Sequence, residues 1–266
     1  MNIFRRLIFG TASLGSKISH RRSVSIVRHA ANKGIYRFDS SPLYGACQSQ
    51  SILSSALAGK PNIEIYSKVL GSPSSSLWRE LLKIIYRRNG IKAYLNLIDS
   101  MRLATTAKRL DERSNTYNAI ITLIEEFKSK QISRYPELRF SGWFFHSPTL
   151  LQVDRLCSLP GLSSYHCCGY NCTNIGRFSQ GRIIQIHADL VSPEMLAKLS
   201  FADQVWVHGI NSSRNPLLPP ESTAKYRYLI SLGSNICLVA GATRIASLES
   251  IINRYRQSLS DLNLLP

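Results

Sequence analysis

The sequence predicts an α/β protein, a (β/α)8 TIM barrel. Strand-like and helix-like runs alternate along the whole chain, eight of each. Strict alternation requires a mostly parallel sheet with helical crossovers, and eight repeats close naturally into a barrel. The length of 266 residues is close to the ~250 residues typical of such a domain. We therefore expect residues 1–266 to form one barrel domain.

The predicted strands are short runs rich in β-branched and aromatic residues. They cover, in order, residues 6–13, 35–40, 63–69, 139–146, 164–170, 182–188, 203–209 and 235–242. The predicted helices open on Ser or Pro in several cases and close on Gly in others, as helix ends should. They cover residues 23–34, 47–59, 115–130, 149–159, a short segment near 173–180, 192–200, 219–233 and 246–257.

An open, doubly wound sheet is the structural alternative. The segment GTASLG (10–15) after the first strand lacks the G-x-G-x-x-G spacing of such folds, and no helix opens there to hold a pyrophosphate. About seventy residues separate the third and fourth strands, and residues 79–113 contain nine Lys or Arg against four acids. We expect a basic helical insertion at about 70–115.

Composition narrows the classes of partner and compartment. The formal net charge of +17 favours anionic partners, among them phosphorylated cofactors, acidic substrates, nucleic acid and membrane surfaces. No run reaches the ~18 apolar residues of a membrane span, and the apolar run in MNIFRRLIFG is too short for a secretion signal, so it is interpreted as the first strand. Six cysteines in a chain of this length do not form a disulfide scaffold, which favours a cytoplasmic location.

Four polar residues stand where predicted strands end. Asp39 ends the second strand, Tyr44 follows in its loop, Lys68 ends the third strand and His146 ends the fourth. The carboxyl ends of barrel strands converge on one face, and adjacent strands are only ~4.8 Å apart, so these side chains can share a pocket. An ammonium beside a phenol stabilises its phenolate, a carboxylate orients the ammonium, and a histidine can hold a carbonyl oxygen. Such a group can protonate a developing alkoxide while a cofactor delivers hydride.

At these residues the sequence resembles the aldo-keto reductase family. The matching segments are FGTASLG (9–15), GIYRFDSSPLYG (34–45), IYSKV (65–69), WFFHSP (143–148), IIQIHADL (183–190) and LVAGATRIASLESII (238–252). The resemblance implies NAD(P)H-dependent reduction of an aldehyde or ketone, or the reverse oxidation. In that family pattern Tyr44 is the general acid, Lys68 and Asp39 tune it, and His146 orients the substrate.

The resemblance also implies cofactor contacts. Asn171 and Gln185 would bind the nicotinamide amide, and the backbone around Thr11 would line the same pocket. Residues near the adenosine phosphate would be Gly241, Ala242 and Arg244. NADPH is the expected cofactor, with NADH as the alternative, because Arg244 and the positive charge favour an extra phosphate.

This cofactor segment departs from the family pattern. Many relatives carry a Lys-Ser pair where Gly241 and Ala242 stand. They also carry an arginine near Ser247 and a Glu-Asn pair where Ser250 and Ile251 stand. An aromatic ring that often stacks on the nicotinamide is replaced by Ile210.

A metal site is not expected. His166, Cys167, Cys168 and Cys172 could suggest zinc, but adjacent residues on a strand point to opposite faces and no second C-x-x-C pair exists. His187 and His208 lie on predicted strands and are interpreted as barrel residues.

Substrate identity stays open at this point. A small carbonyl or alcohol is expected, and the positive charge makes an anionic or sugar-like one plausible. Two other functions remain as alternatives. One is a non-catalytic, cofactor-sensing or partner-binding relative, suggested by the altered final segment. The other is a nucleic-acid or membrane-surface protein, ranked last because the chain lacks the modules that such binders show.

Overall fold

A parallel sheet of eight strands curls into a closed barrel in the computed structural model of the protein. The structure describes residues 2–69, 117–146, 165–168 and 183–265, with side chains at all of these except 69, 117–124, 145–146 and 165–168. The strands are β1 Leu7–Gly10, β2 Arg37–Asp39, β3 Glu64–Val69, β4 Phe140–His146, β5 Tyr165–Cys168, β6 Ile183–His187, β7 Gln204–His208 and β8 Ile236–Ala240. Each strand pairs in parallel with the next, and β8 pairs with β1.

Helices follow most of the strands. They are α1 His20–Asn32, α2 Ser49–Leu57, α3 Tyr117–Arg134, α4 Pro193–Lys198, α5 Ser222–Ser231 and α6 Ile245–Asp261. Short 3-10 turns cover Ile3–Arg6, Ala188–Leu190 and Ile210–Ser212, and a helical turn covers Tyr44–Cys47. Local chemistry fixes the start of α4. Ser192 Oγ accepts a hydrogen bond of 3.1 Å from Met195 N, and Pro193 occupies the first position of the helix.

The α/β class and the parallel sheet predicted from the sequence are confirmed. The predicted first strand, 6–13, is too long, because the chain turns after Gly10. Thr11 N donates to Asp39 O at 3.0 Å, and Leu14 N donates back to Thr11 O at 3.0 Å. The predicted insertion at 70–115 and the predicted helices at 149–159 and 173–180 fall outside the described residues.

Two apolar clusters form the core. The outer cluster fills the space between the helices and the outside of the barrel. The inner cluster fills the barrel itself and consists of Ile8, Tyr66, Phe144, Ile183, Trp206, Cys237 and Val239. Its rings pack closely, with the centroids of Tyr66 and Trp206 4.7 Å apart. The interior of the barrel is therefore a packed core, and a polar site can form only at its rim.

The opposite, amino-terminal end of the barrel is closed by a buried arginine. Arg6 donates to the carbonyl oxygens of Ile236 at 2.7 Å, Ile230 at 2.9 Å and Gly233 at 2.6 Å. Burial lowers the pKa of this guanidinium. Because these bonds tie the start of β1 to the segment before β8, this end serves stability. Within the described residues, no helix has the length and apolar character that crossing a membrane requires.

Candidate functional site

A buried ion pair lies at the carboxyl-terminal rim of the barrel. Lys68 Nζ contacts Asp39 Oδ1, and both residues are only 3% exposed. The second carboxylate oxygen of Asp39 accepts a hydrogen bond of 3.3 Å from Gln185 Nε2, which reaches it from β6. A buried charge pair is tolerated only where its remaining polar atoms have partners, and Gln185 supplies one.

The Tyr44 ring lies beside this pair. Lys68 Nζ is 4.9 Å from the centroid of the Tyr44 ring and 5.4 Å from that of Phe144. Tyr44 itself is half-buried. The ammonium is thus held between a carboxylate and two aromatic faces, an arrangement in which cation–π attraction adds to the ion pair. The structure brings together three of the four residues predicted for catalysis.

The backbone after Tyr44 explains how the phenol reaches this position. Gly45 has φ of 60° and donates to Ala12 O at 3.2 Å. A Cβ at position 45 would lie 1.5 Å from Leu14 O, so only glycine fits. Ala46 and Cys47 continue in the left-handed region with φ of 55° and 65°. Such a run is unfavourable for residues with side chains and is typical of constrained functional segments.

Buried hydroxyl groups connect the ends of β1 and β2 to the start of α2. Thr11 Oγ1 donates to Asp39 O at 2.9 Å and lies 2.5 Å from Ser49 Oγ. Ser40 Oγ lies 2.9 Å from the same Ser49 oxygen. The Thr11 side chain therefore points into the protein and positions the backbone that carries Asp39.

A cavity of about 800 Å³ opens next to the ion pair. Its walls come from the ends of β1, β2, β6, β7 and β8. Its polar side chains are Ser13, Lys17, Asp39, Tyr44, Gln185, His187, His208, Asn211, Ser212 and Tyr226. The size and the mixture of apolar walls with a few convergent polar groups are typical of a cofactor or substrate site.

The residues predicted for cofactor binding have different locations. Gln185 and Gly241 line the cavity, as do Gly10 and Ala12 on either side of Thr11. Ile210, which stands where an aromatic ring often stacks in the family pattern, lines it as well. Neither Ala242 nor Arg244 lines this cavity. Ala242 is buried, and Arg244 is exposed at the start of α6. Asn171 lies outside the described residues. His146 ends β4 as expected, and its side chain lies outside the described part.

Gly241 has a steric reason to lack a side chain. A Cβ built at this position would lie 2.7 Å from the carbonyl oxygen of Gly10, a backbone atom that cannot swing aside. The ends of β8 and β1 therefore approach each other backbone to backbone. A lysine at this position, as the family pattern has it, would require this strand pair to shift.

Sequence reasoning did not assign the three basic residues of the cavity lining to the site. Lys17 lies in the loop after β1, and His187 and His208 end β6 and β7. The two histidines are register partners, and their ring centroids are 5.1 Å apart. His187 Nδ1 also lies 3.1 Å from Asp189 Oδ2. The rule that identified Asp39 and Lys68, that residues ending barrel strands face the rim, would have identified both histidines.

Asp189 is held as a carboxylate by its surroundings. Ser213 Oγ donates to it at 2.5 Å and Arg214 N at 2.9 Å. Both hydrogen bonds lower the pKa of Asp189, and the bond from Ser213 has the larger effect. Among the residues that the structure describes, no group of three or more His, Cys, Asp or Glu side chains could hold a metal ion.

Comparisons with known proteins agree with this fold. Residues 6–125 match the model of the Aldo/keto reductase family. An aldo-keto reductase from Bacillus halodurans, solved in its holo form, superposes with a TM-score of 0.61 at 17% identity, covering 97% of this chain and 91% of that one. In sequence and in fold, the chain resembles the aldo-keto reductases. The resemblance predicted from the motifs is confirmed.

Two further aldo-keto reductases share the fold. An enzyme from Klebsiella pneumoniae, crystallised with NADPH, has a TM-score of 0.54 at 11% identity, covering 96% of this chain and 85% of that one. One from Brucella melitensis has a TM-score of 0.57 at 11% identity, with coverage of 94% and 87%. No curated protein matches the chain in sequence. At these identities the likeness to solved structures concerns the fold.

Proposed function

We propose that the protein is an NADP(H)-dependent oxidoreductase of the aldo-keto reductase type, built on a complete (β/α)8 barrel. It reduces an aldehyde or ketone, or oxidises the corresponding alcohol. The observation that supports this most is the buried Lys68–Asp39 pair beside the Tyr44 ring at a large cavity. A phenol, an ammonium and a carboxylate so arranged are suited to proton transfer at a carbonyl oxygen.

Each residue has a distinct role in the proposed reaction. Tyr44 Oη donates its proton to the carbonyl oxygen, which becomes the hydroxyl of the alcohol. The Lys68 ammonium stabilises the phenolate that remains. Asp39 keeps that ammonium charged and oriented. His146, at the end of β4, holds the carbonyl oxygen toward Tyr44. NADPH, when bound, supplies the hydride.

The rim cavity supports the cofactor assignment. Gln185 presents an amide for the nicotinamide, and the bare backbone at Gly10 and Gly241 leaves room for a ligand to approach. Asn171, the backbone near Thr11, Ala242 and Arg244 are proposed as further contacts on the resemblance alone. Lys17 is a cation within the cavity itself, and the Klebsiella pneumoniae neighbour was crystallised with NADPH. These observations favour NADPH over NADH.

The cavity also favours an anionic or sugar-like substrate. Lys17 is a cation in the cavity wall, and the Asp39 carboxylate of the same wall is already paired with Lys68. The net charge of +17 strengthens this attraction for anions. Carboxylated or phosphorylated aldehydes are therefore the first compounds to test.

The deciding experiment is Tyr44→Phe. We expect NADPH oxidation, measured across carbonyl and sugar substrates, to fall by about 10²–10⁴-fold, the contribution of a positioned proton donor. NADPH affinity should change little, because the ring and its contact with Lys68 remain. Tyr228→Phe, on α5, is the matched control and should retain activity. Full turnover by Tyr44→Phe would exclude Tyr44 from the mechanism.

A second candidate function is a cofactor-sensing or partner-binding protein without turnover. Two observations favour it: a lysine is sterically excluded at Gly241, and the cavity has the aliphatic Ile210. Both would weaken cofactor binding of the kind that the family pattern implies. Saturable NADPH binding with no oxidation by any substrate would support this candidate. Steady turnover of one substrate would eliminate it.

A further inference from the structure

A second cavity lies on the outer face of the barrel, behind the turn that carries Tyr44. It has a volume of about 470 Å³ and, among the residues that the structure describes, shares no lining residue with the rim cavity. Pro42 and Cys47, on either side of Tyr44, form one wall, and Gln50 of α2 lies beside them. The last turns of α3 form the other wall, from Phe127 to Arg134. We propose that this outer cavity binds an amphipathic organic anion, a carboxylate or phosphate monoester with an apolar body.

The charge of the outer cavity points to an anion. Lys130 and Arg134 both line it and lie one helical turn apart on the same face of α3. No acid of the described residues lines this cavity. The carbonyl end of α3 contributes about half a negative charge, which offsets only part of the two cations. The residues that line the cavity thus keep a net positive charge.

Two acids near the cavity, Glu125 and Glu137, have partners elsewhere. Lys128 on the same helix pairs with Glu125 at 2.9 Å. Glu137, just beyond α3, accepts a hydrogen bond from Ser54. Among the described residues, these acids are therefore engaged outside the cavity, and the hydroxyl groups of Ser129 and Ser133 add donors at its rim.

Three apolar residues lie next to these charges. Phe127 and Pro42 line the cavity together with the Cys47 side chain. Burial raises the pKa of the Cys47 thiol to about 12, so the sulfur stays neutral. A volume of this size is within the range of small-molecule pockets. An anion that also has an apolar part can fill both regions, whereas a bare inorganic ion can use only the first.

The outer cavity is connected to the proposed catalytic residues from two directions. Gln50 Nε2 donates to Gln131 Oε1 at 2.5 Å and to Ser67 Oγ at 3.0 Å, and Ser67 directly precedes Lys68. Cys47 ends the left-handed run that begins after Tyr44. An occupant would therefore restrain both Tyr44 and Lys68 and change the rate. This coupling rests on the proposed function, whereas the binding itself does not.

Binding is tested on the full chain, both without NADPH and with it. The probes are benzoate and phenyl phosphate, with benzyl alcohol and inorganic phosphate as controls for the charge and for the apolar body. Calorimetry and ligand-observed NMR should show saturable binding of both amphipathic anions. The double variant Lys130→Ala/Arg134→Ala should bind them at least about 10-fold more weakly, the effect of losing charge-assisted contacts.

The variants are matched for folding. Alanine is a good helix former, so the double variant should keep its thermal midpoint. Lys198→Ala, which removes an exposed lysine from α4, should bind the anions as the unaltered protein does. Lack of saturable binding, or equal binding by the double variant, would overturn the site. Equal binding of benzyl alcohol or inorganic phosphate would overturn the amphipathic assignment.

The coupling has its own readout. A saturating amphipathic anion should change kcat for carbonyl reduction in the unaltered protein and leave it unchanged in the double variant. An unchanged kcat at full occupancy would refute the coupling. If no substrate is turned over at all, the proposed function fails while the binding result stands, so the two failures are distinguishable.

Discussion

The two sides of the barrel rim are built in different ways. On the β2–β3 side, the rim is built from two buried charged side chains, Asp39 and Lys68, which pair with each other. On the β8–β1 side, Gly241 approaches the carbonyl oxygen of Gly10 so closely that no side chain fits. A substitution on the first side would therefore act by leaving a buried charge unpaired. A substitution on the second side would act by pushing the two strand ends apart. In the proposed reaction, side chains carry out proton transfer on the first side, whereas the second side offers the cofactor mainly backbone.

The largest expected effect comes from breaking the charged side. Lys68→Met leaves the Asp39 carboxylate buried without its cation, and we expect a loss of about 3–5 kcal/mol in the free energy of unfolding, measured in urea. Turnover should be lost as well, because the phenolate of Tyr44 loses its stabilising charge.

The matched control for this variant is Asp39→Asn/Lys68→Met, which removes both charges. It should recover much of the stability, since replacing both members of a buried pair can be nearly neutral, but it should not recover turnover. If the double variant is no more stable than Lys68→Met, the buried pair is not what stabilises this side.

A smaller effect is expected from adding a side chain on the β8–β1 side, where two strand ends meet backbone to backbone. Gly241→Ala places a Cβ against Gly10 O, and the strand ends must move apart. We expect a loss of about 1–3 kcal/mol in unfolding free energy and weaker NADPH binding by fluorescence titration. Gly233→Ala is the control, because the closest atom to its new Cβ is the end of the flexible Asn235 side chain. Equal NADPH affinity in Gly241→Ala would show that the backbone contact does not shape the cavity.

The smallest effect at neutral pH is expected at Tyr226, which lines the β8 side of the rim cavity. Burial raises the pKa of Tyr226 from 10.0 to about 12. The folded state then holds this proton more tightly than the unfolded state. The contribution of Tyr226 to the free energy of unfolding is therefore fully present below pH 10. It is lost as pH rises toward 12, by at most about 1.4 kcal/mol per pH unit.

Tyr226→Phe should remove this alkaline loss while changing stability at pH 7 by about 1 kcal/mol or less. Urea unfolding at pH 8 and pH 11 measures this loss. Between these two pH values, Tyr226→Phe should lose less unfolding free energy than the unaltered protein. Tyr66 and Tyr255, whose pKa values burial also raises to about 12, remain in both proteins and cancel. Parallel pH curves would contradict this assignment.

Much of the fold was readable because its signals are local. The alternation of strand-like and helix-like runs predicted the parallel sheet, and Ser192 with Pro193 predicted the start of α4. Strand ends were less readable: residues 11–13 look extended in sequence, but the Thr11 turn depends on a bond to Asp39 of the next strand. Pairing partners distant in sequence leave no local pattern.

The candidate site shows the same division. Asp39, Tyr44 and Lys68 were identified from their places at strand ends, and the structure brings them together. Lys17 was missed because a lysine in a loop has no distinguishing local pattern. The bare backbone at Gly241 could be read only as a departure from the family.

The sequence by itself determined which residue types end which strands, and hence the identities of the acid, the phenol and the amine at the rim. Only the tertiary structure decided that Lys68 is buried against Asp39 and that Gly241 excludes a side chain. Periodicity and turn residues act between neighbours in the chain, whereas burial and close approach depend on which distant segments meet when the barrel closes.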